Sequence, residues 1–259
     1  MLTDTHTHIY LEQFENDREA MIRRAREAGI GRMFLPNIDL GTLEPVFRLS
    51  KQNPGICFPM AGLHPTSVKS DYRTQLHRLE KALEREEVIA IGETGIDLYW
   101  DSTYIREQKD AFRIQIGWAA GLGVPVVIHA RNSFREIFEV LDESATEDLT
   151  GVFHSFTGNP EQLEKALSYN FMIGINGIVT FKNSGLSQIV ASIPPDRLLL
   201  ETDAPFLAPV PFRGKRNEPG YLVKIANRVG EIYNLDLEEV GSVTSANASR
   251  LFSRSVQDE

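Results

Sequence analysis

The chain has 259 residues, of which 42% are hydrophobic and 24% are charged, a balance that is ordinary for a globular protein with a sizeable core. No apolar run approaches the roughly 18 residues of a membrane span, and the opening MLTDTHTHIY lacks a signal peptide's apolar stretch, so we expect a cytoplasmic protein without membrane partners. Its 36 acidic and 27 basic residues give a net charge of −9, which argues against a general nucleic-acid coat protein but not against an enzyme with a local cationic site.

Eight short apolar runs recur along the chain, and several are rich in Val and Ile, as strands covered on both faces of a parallel sheet are. In chain order they are LTDTHTHI from Leu2, RMFLPNI from Arg32, ICFPMAGLHP from Ile56, VIAIGETGID from Val88, VPVVIHAR from Val124, GVFHSF from Gly151, FMIGINGIVT from Phe171 and RLLLETDAP from Arg197. The third run contains the only cysteine, Cys57, which we interpret as core filling; a single cysteine excludes an internal disulfide.

Charged segments with helical spacing separate these runs, and the clearest are 17–29, 102–123 and 159–170. The first places four apolar side chains on one stripe: Met21, Ile22, Ala25 and Ala28. Gly29 follows where a C-cap is expected. Strands that alternate with helices imply a parallel sheet, and eight such units predict a single α/β domain over 1–259, a (β/α)8 TIM-type barrel. The alternative is an open doubly wound sheet, but no Gly-rich phosphate loop follows the first run.

Histidines and carboxylates mark the predicted strand ends. One residue stands at the end of each predicted strand: His8, Pro36, His64, Glu93, His129, His154, Asn176 and Asp203. Consecutive residues of this set are 22 to 36 positions apart, which is about the length of one strand–helix unit. Since the carboxyl ends of barrel strands meet at one mouth, we expect six of the polar residues to converge there. They are His6, His8, Glu93, His129, His154 and Asp203. The sixth histidine, His77, falls in the charged segment QLHRLEKALE and is predicted to be solvated.

The converging side chains suggest a metal centre. His6 and His8 are two apart on a predicted strand, so both rings should point to the same side. Imidazole and carboxylate donors suit divalent metals of intermediate softness, which favours Zn, Mn, Fe or Ni over Mg. Six donors exceed the need of one open catalytic ion, and Glu93 could bridge two ions in an arrangement suited to phosphate ester hydrolysis. Glu201 and Asp4 could each orient a ligating imidazole, although Asp4 could equally accept from a neighbouring backbone amide.

Six motifs occur together in the order and spacing typical of one family: DTHTH, AGLHP, AIGETGID, PVVIHAR, GVFHSFTG and LLLETDAPFLAP. On these motifs the chain resembles the TatD family of metal-dependent deoxyribonucleases, from about residue 3 to residue 250. The resemblance implies a barrel with two divalent metal ions, in which His6, His8 and Asp203 hold one ion and His129 and His154 hold the other. It also implies that Glu93 bridges the ions where many amidohydrolases use a carboxylated lysine. Members of the family are DNases, often exonucleases that digest single strands in the 3′→5′ direction, and their assays commonly use Mg.

The predicted reaction is an in-line attack of water on phosphorus, with Asp203 taking the proton from that water. His64, in GLHP, is expected to contact the phosphate or the leaving group, or else to be a hydrogen-bonded rim residue. Arg131 could reach the same phosphate through two hydrogen bonds.

Attraction of DNA to an acidic chain needs a local basic surface. The loop FRGKRNEPG places three cations just beyond the eighth strand, where we expect them to overhang the metals, although a solvated loop is the alternative. They are Arg213, Lys215 and Arg216. Tyr99 and Trp100, in DLYWD, offer either a platform for base stacking or packing against the barrel rim.

The sequence therefore predicts a hydrolase that cleaves phosphodiester bonds at single-stranded DNA ends or in another phosphate-containing substrate, and we expect a monomer. Two alternatives remain open at this point. The same scaffold could hydrolyse a small ester, lactone, amide or phosphate ester, or the chain could bind nucleic acid or a protein without catalysis. All six ligand positions are intact, which argues against the non-catalytic alternative.

Overall fold

The computed structural model describes residues 1–253, in which eight strands alternate with nine α-helices. The strands are β1 (Leu2–Asp4), β2 (Ile30–Pro36), β3 (Cys57–Met60), β4 (Ile91–Asp97), β5 (Val126–Arg131), β6 (Gly151–Phe153), β7 (Met172–Ile175) and β8 (Leu198–Leu200). The helices are α1 (Arg18–Glu27), α2 (Leu40–Gln52), α3 (Tyr72–Leu83), α4 (Ile105–Leu122), α5 (Phe134–Ser144), α6 (Pro160–Ser168), α7 (Leu186–Val190), α8 (Leu222–Tyr233) and α9 (Leu237–Leu251). One strand forms at each of the eight apolar runs, as predicted, except that β2 begins at Ile30, two residues before the run that starts at Arg32.

The eight strands are parallel and close into a barrel. Regular pairing joins β1 through β3 in one group and β4 through β8 in the other. Backbone hydrogen bonds close both gaps: the Gly92 amide donates to the Ala61 carbonyl at 2.9 Å, and the Thr5 amide donates to the Leu200 carbonyl at 3.1 Å. The predicted TIM-type barrel is therefore confirmed, and the open doubly wound sheet is excluded.

Buried apolar side chains form an outer core between the strands and the helices and an inner core inside the barrel. On β5, Val127 belongs to the inner core, whereas its neighbours Val126 and Ile128 belong to the outer one. Such alternation is expected because successive side chains of a strand point to opposite faces. The inner core ends at Phe252, whose ring lies 4.8 Å from that of Phe34.

Helix α9 is fastened across the amino-terminal end of the barrel. The Asn247 side chain donates to the carbonyls of Pro195 and Leu198 at 2.8 and 2.9 Å, and the Ser245 hydroxyl donates to the carbonyl of Met1 at 3.0 Å. This end is therefore covered, which leaves the carboxyl ends of the strands as the open mouth.

Helices form in the three predicted segments, with one correction to the first. Met21, Ile22 and Ala25 are buried, but Ala28 is exposed because α1 ends at Glu27 and Ala28 is already its C-cap residue. Gly29 follows with φ +90°, a conformation that favours glycine. Elsewhere Cys57 is buried and His77 is exposed on α3, as expected. Within residues 1–253, no helix combines the length and apolar character needed to cross a membrane.

Candidate metal centre

A cavity of about 420 Å³ opens at the mouth of the barrel, and its lining includes five of the six predicted ligands: His8, Glu93, His129, His154 and Asp203. The sixth, His6, is fully buried, with its Nε2 atom 3.2 Å from Nε2 of His8. Residues that are up to 197 positions apart in the sequence (from His6 to Asp203) thus meet in one place, as the barrel topology predicted.

Glu93 lies at the centre of this group, and its two oxygens face different imidazoles. Oε2 lies 3.2 Å from Nε2 of His6 and 3.7 Å from Nε2 of His8. Oε1 lies 2.8 Å from Nδ1 of His129 and 3.4 Å from Nε2 of His154. A carboxylate placed in this way can bridge two cations.

Asp203 completes the side of the cavity formed by the first histidines. Its Oδ1 lies 3.4 Å from Nε2 of His8 and 3.8 Å from Nε2 of His6. The backbone explains this proximity, because the Asp203 amide donates to the His6 carbonyl at 2.9 Å and the His8 amide donates to the Ala204 carbonyl at 2.7 Å. The segments that follow β1 and β8 are therefore tied together side by side.

Two details of the predicted placement are corrected. His6 and His8 lie beyond the end of β1 rather than on it, and Glu93 is the third residue of β4 rather than its last. The two rings still converge, because the chain after β1 keeps alternating between its neighbours: the Thr5 amide donates to Leu200 and the Thr7 amide donates to Phe34.

Neighbouring side chains orient two of the imidazoles. The Tyr10 hydroxyl donates to the Pro36 carbonyl at 2.7 Å, so its oxygen accepts from Nδ1 of His8 at 2.8 Å and leaves Nε2 of His8 free to bind a cation. Nδ1 of His154 lies 2.9 Å from Oε1 of Glu201, an ion-pair distance that places the predicted carboxylate beside this ring without hydrogen-bond geometry. Tyr10 had not been predicted, although it continues the alternation of His6 and His8.

Asp97 is a functional candidate that the sequence reasoning missed. Its Oδ2 lies 2.9 Å from Nε2 of His129, which turns Nδ1 of that ring toward Glu93. The sequence feature that could have identified Asp97 is its position four residues after Glu93. On a strand, this spacing puts both carboxylates on one face. Gly95 between them has φ +133°, and a Cβ there would lie 2.2 Å from the His129 carbonyl oxygen, so only glycine fits.

Asp4 binds backbone and hydroxyl groups rather than an imidazole. Its carboxyl group accepts from the amide and hydroxyl of Thr202 at 2.9 and 2.5 Å, and from the His6 amide at 3.4 Å. The structure therefore supports the interpretation in which Asp4 accepts from neighbouring backbone amides. These hydrogen bonds join the ends of β1 and β8.

His64 lies closer to the ligands than expected. Its Nε2 is 3.3 Å from both Oε1 of Glu93 and Nδ1 of His129. The Thr66 amide donates to its Nδ1 at 3.2 Å, so the ring proton of a neutral His64 is on Nε2 and faces the cavity. Burial lowers the pKa of His64, which favours this neutral form. His64 is therefore arranged as a hydrogen-bond donor into the cavity.

The cluster has the electrostatic character of a cation site. Burial would raise the pKa of Glu93, but the surrounding imidazoles, His64 and His154 foremost, hold it well below its ordinary value. Burial likewise opposes ionisation of Asp203, yet the adjacent imidazoles of His8 and His154 keep its pKa lowered. Burial would lower the pKa of His154, but Glu201 and Glu93 raise it to about 10. The same negative potential that binds a proton there attracts a divalent cation.

The donor set fits metal ions. Three groups of three residues each bring their ligand atoms within 4.8 Å of one another, and these groups are His6 with His8 and Asp203, His6 with Glu93 and His154, and His64 with Glu93 and His129. Nε2 of His6 faces two possible co-ligands, Nε2 of His8 and Oε2 of Glu93, each at 3.2 Å. A cation between these nitrogens and oxygens would satisfy them all.

Arg131, predicted to contact phosphate, lines the cavity together with Trp100. Its guanidinium carbon lies 3.9 Å from the centre of the Tyr99 ring and 5.3 Å from that of Trp100. Among the described residues no carboxylate pairs with it, so its N–H groups remain open to a ligand.

The basic loop after β8 is not placed as expected. None of its three cations belongs to the described lining of the cavity. Arg216 donates two hydrogen bonds to Asp17, at 2.7 and 2.8 Å, which explains why it does not overhang the centre. Arg213 covers the Phe181 ring at 4.5 Å in an adjacent pocket, and Lys215 is exposed. A substrate contact through any of the three cations stays a prediction.

A (β/α)8 barrel with a cage of imidazoles and carboxylates at its carboxyl mouth is the architecture of a metal-dependent hydrolase. The family described as TatD related DNase matches residues 3–253. The chain belongs to this family, as the motifs indicated.

Comparisons with individual proteins agree. The chain is 37% identical to "Uncharacterized metal-dependent hydrolase YabD" of Bacillus subtilis, over 97% of this chain and 99% of that protein. It is 35% identical to "3'-5' ssDNA/RNA exonuclease TatD" of Pantoea vagans, over 93% and 95% of the two chains. Among solved structures, the TatD homologue YJJV from Escherichia coli superposes with a TM-score of 0.91 at 28% identity, over 97% of this chain and 98% of that one.

Proposed function

We propose that this protein is a phosphodiesterase that removes nucleotides from the 3′ end of single-stranded DNA with the help of two divalent metal ions. The observation that carries the proposal is the position of Glu93, whose two oxygens face separate groups of imidazoles in one cavity. The printed name of the Pantoea vagans relative, an exonuclease on single-stranded DNA and RNA, supports the substrate class and makes RNA a second substrate to test.

His6, His8 and Asp203 would hold one ion, His129 and His154 the other, and Glu93 would contact both. When bound, the ions would activate water and neutralise charge that develops on the phosphate oxygens. Imidazole donors favour Zn, Mn, Fe or Ni for tight binding, and we expect Mg or Mn to support turnover at higher concentration.

The chain's own residues would then position the substrate and move the proton. Asp203 is held ionised by its neighbours, so its carboxylate can accept the proton of the attacking water. Nε2–H of His64 would donate to a phosphate oxygen, and Arg131 would bind the same phosphate or the next one with two parallel N–H groups.

The test is digestion of 5′-labelled single-stranded DNA by purified protein in Mn²⁺ or Mg²⁺, beside the variants Glu93→Gln and Asp203→Asn. His77→Gln is the matched control, since this histidine lies exposed on α3. We expect stepwise shortening from the 3′ end by the wild type and by His77→Gln, and at least a hundredfold loss in both site variants.

Two results would overturn the proposal. Equal digestion by the wild type and both site variants would assign the nuclease to a contaminant. Hydrolysis of a lactone, an amide or a small ester without cleavage of DNA or RNA would assign the centre to small-molecule chemistry.

A further inference from the structure

Aromatic side chains are exposed only around the mouth of the cavity in the part of the chain that the structure describes. Tyr99, Trp100 and Phe206 have 53%, 68% and 47% of their surface exposed, and every other Phe, Tyr and Trp there is buried or half-buried. Trp100 and Phe206 line the cavity, and Tyr99 packs on Trp100 with ring centres 4.9 Å apart. Aromatic rings stabilise a fold when they are buried in its core. Exposed rings that are confined to one mouth therefore indicate a binding role.

The backbone that carries Trp100 is fixed by hydrogen bonds. Oδ1 of Asp97 accepts from the amides of Tyr99 and Trp100 at 2.9 and 3.2 Å, and the Arg131 guanidinium covers the Tyr99 ring. Trp100 is therefore held at the rim, next to Arg131, which also lines the cavity.

Phe206 is also held in place. Its amide donates to the Asp203 carbonyl at 2.8 Å, and its own carbonyl accepts from the Asn217 side chain at 2.6 Å. Its ring lies 6.1 Å from that of His8. Phe206 is thus only three residues from Asp203, whereas Trp100 follows β4 and reaches the same cavity from another strand.

We propose that Trp100 and Phe206 form a subsite that binds nucleobases by stacking, next to the metal centre. The inference rests on the proposed function and names what the enzyme recognises beside the phosphate: the flat face of a base, whichever base it is. Stacking tolerates any sequence because every base has such a face. The cavity that the two rings line also contains four imidazoles, three carboxylates and Arg131, hydrogen-bonding and charged groups that suit a nucleotide better than an apolar protein segment.

Fluorescence can test the stacking directly, since the chain has two tryptophans and the other one, Trp118, is half-buried on α4. In a Trp118→Phe background loaded with Mg²⁺, dAMP should quench the emission of Trp100. Deoxyribose 5-phosphate, which has the phosphate without the base, should leave it unchanged. Equal responses to the two ligands would overturn the subsite.

Binding of single-stranded DNA supplies the second test, with Glu93→Gln as background to prevent digestion. Trp100→Ala and Phe206→Ala should each weaken binding by about 5- to 150-fold, and Trp100→Tyr should restore most of the loss because it keeps a ring. Leu237→Ala, which removes an exposed apolar side chain from α9, is the control.

The two proposals fail separately. If Trp100→Ala and Phe206→Ala bind DNA as the background protein does, the subsite is wrong while the exonuclease can stand. If dAMP quenches Trp100 but the wild type digests no nucleic acid, the exonuclease is wrong and the subsite stands.

Discussion

At the scale of single residues, the centre depends on which nitrogen of each imidazole faces the cavity. Tyr10 leaves Nε2 of His8 free, Glu201 occupies the Nδ1 side of His154, and Asp97 occupies the Nε2 side of His129. Each of these partners fixes a ring that would otherwise rotate or change its tautomer. Affinity for a metal would therefore depend on residues that do not themselves touch it.

Asp97 gives the clearest test of this dependence. In Asp97→Asn the side-chain amide can donate to Nε2 of His129, which would move the ring proton to Nδ1 and block the nitrogen that faces Glu93. We expect the affinity for Mn²⁺, measured by titration calorimetry on protein stripped of metal, to fall about 10- to 100-fold. Asp101→Asn, an exposed change in the same loop, should bind as the wild type does. Unchanged affinity in Asp97→Asn would contradict a positioning role.

At the scale of elements, the loop after β8 serves the fold as well as the mouth. Asp17, which precedes α1, accepts from Arg216 and from Arg24, and Arg24 also donates to Glu218. These ion pairs join the loop to the start of α1 through Asp17 and to its last turn through Arg24. Arg216, one of the three cations predicted to contact the substrate, therefore takes part in ion pairs within the protein.

We expect Asp17→Asn to lower the free energy of unfolding at pH 7 by about 0.5–1 kcal/mol, since the pairs are partly exposed and screened. Hydrogen bonds from Arg216 and then Arg24 lower the Asp17 pKa from 3.8 to about 2. The carboxylate therefore stabilises the fold above about pH 4, and this contribution disappears as the pH falls through 2. Urea unfolding between pH 7 and pH 2.5 measures the difference between wild type and variant. A difference that does not shrink with falling pH, or with 1 M salt, would contradict the ion-pair explanation.

The strands and the ligand cluster could be predicted from the sequence, whereas Arg216 and Asp97 show where such prediction stops. Apolar runs at regular intervals specify a barrel, and the barrel brings strand ends together whatever lies between them. Arg216 pairs with Asp17, 199 residues away, and no local pattern specifies that partner. Asp97 was missed because its role comes from the His129 ring on the neighbouring strand, and side-chain contacts between strands depend on register.

At the scale of the whole molecule, the candidate ligands connect distant parts of the barrel. They come from β4 and β5 and from the segments that follow β1, β6 and β8. A cation held by all of them binds the folded barrel but not the separated strands, so it should stabilise the entire fold.

We expect metal removal to lower the thermal stability of the protein as a whole. With free Mn²⁺ at 100 times its dissociation constant, each occupied site adds about 2.7 kcal/mol to the free energy of unfolding. Calorimetry of protein in Mn²⁺ and in excess EDTA measures the effect, which should appear as one shifted transition because the ligands span the barrel. Glu93→Gln should lose most of the shift, since Glu93 would contact both ions, whereas His77→Gln should keep it. Identical transitions with and without Mn²⁺ would contradict the binding of Mn²⁺ by the imidazoles and carboxylates at the mouth.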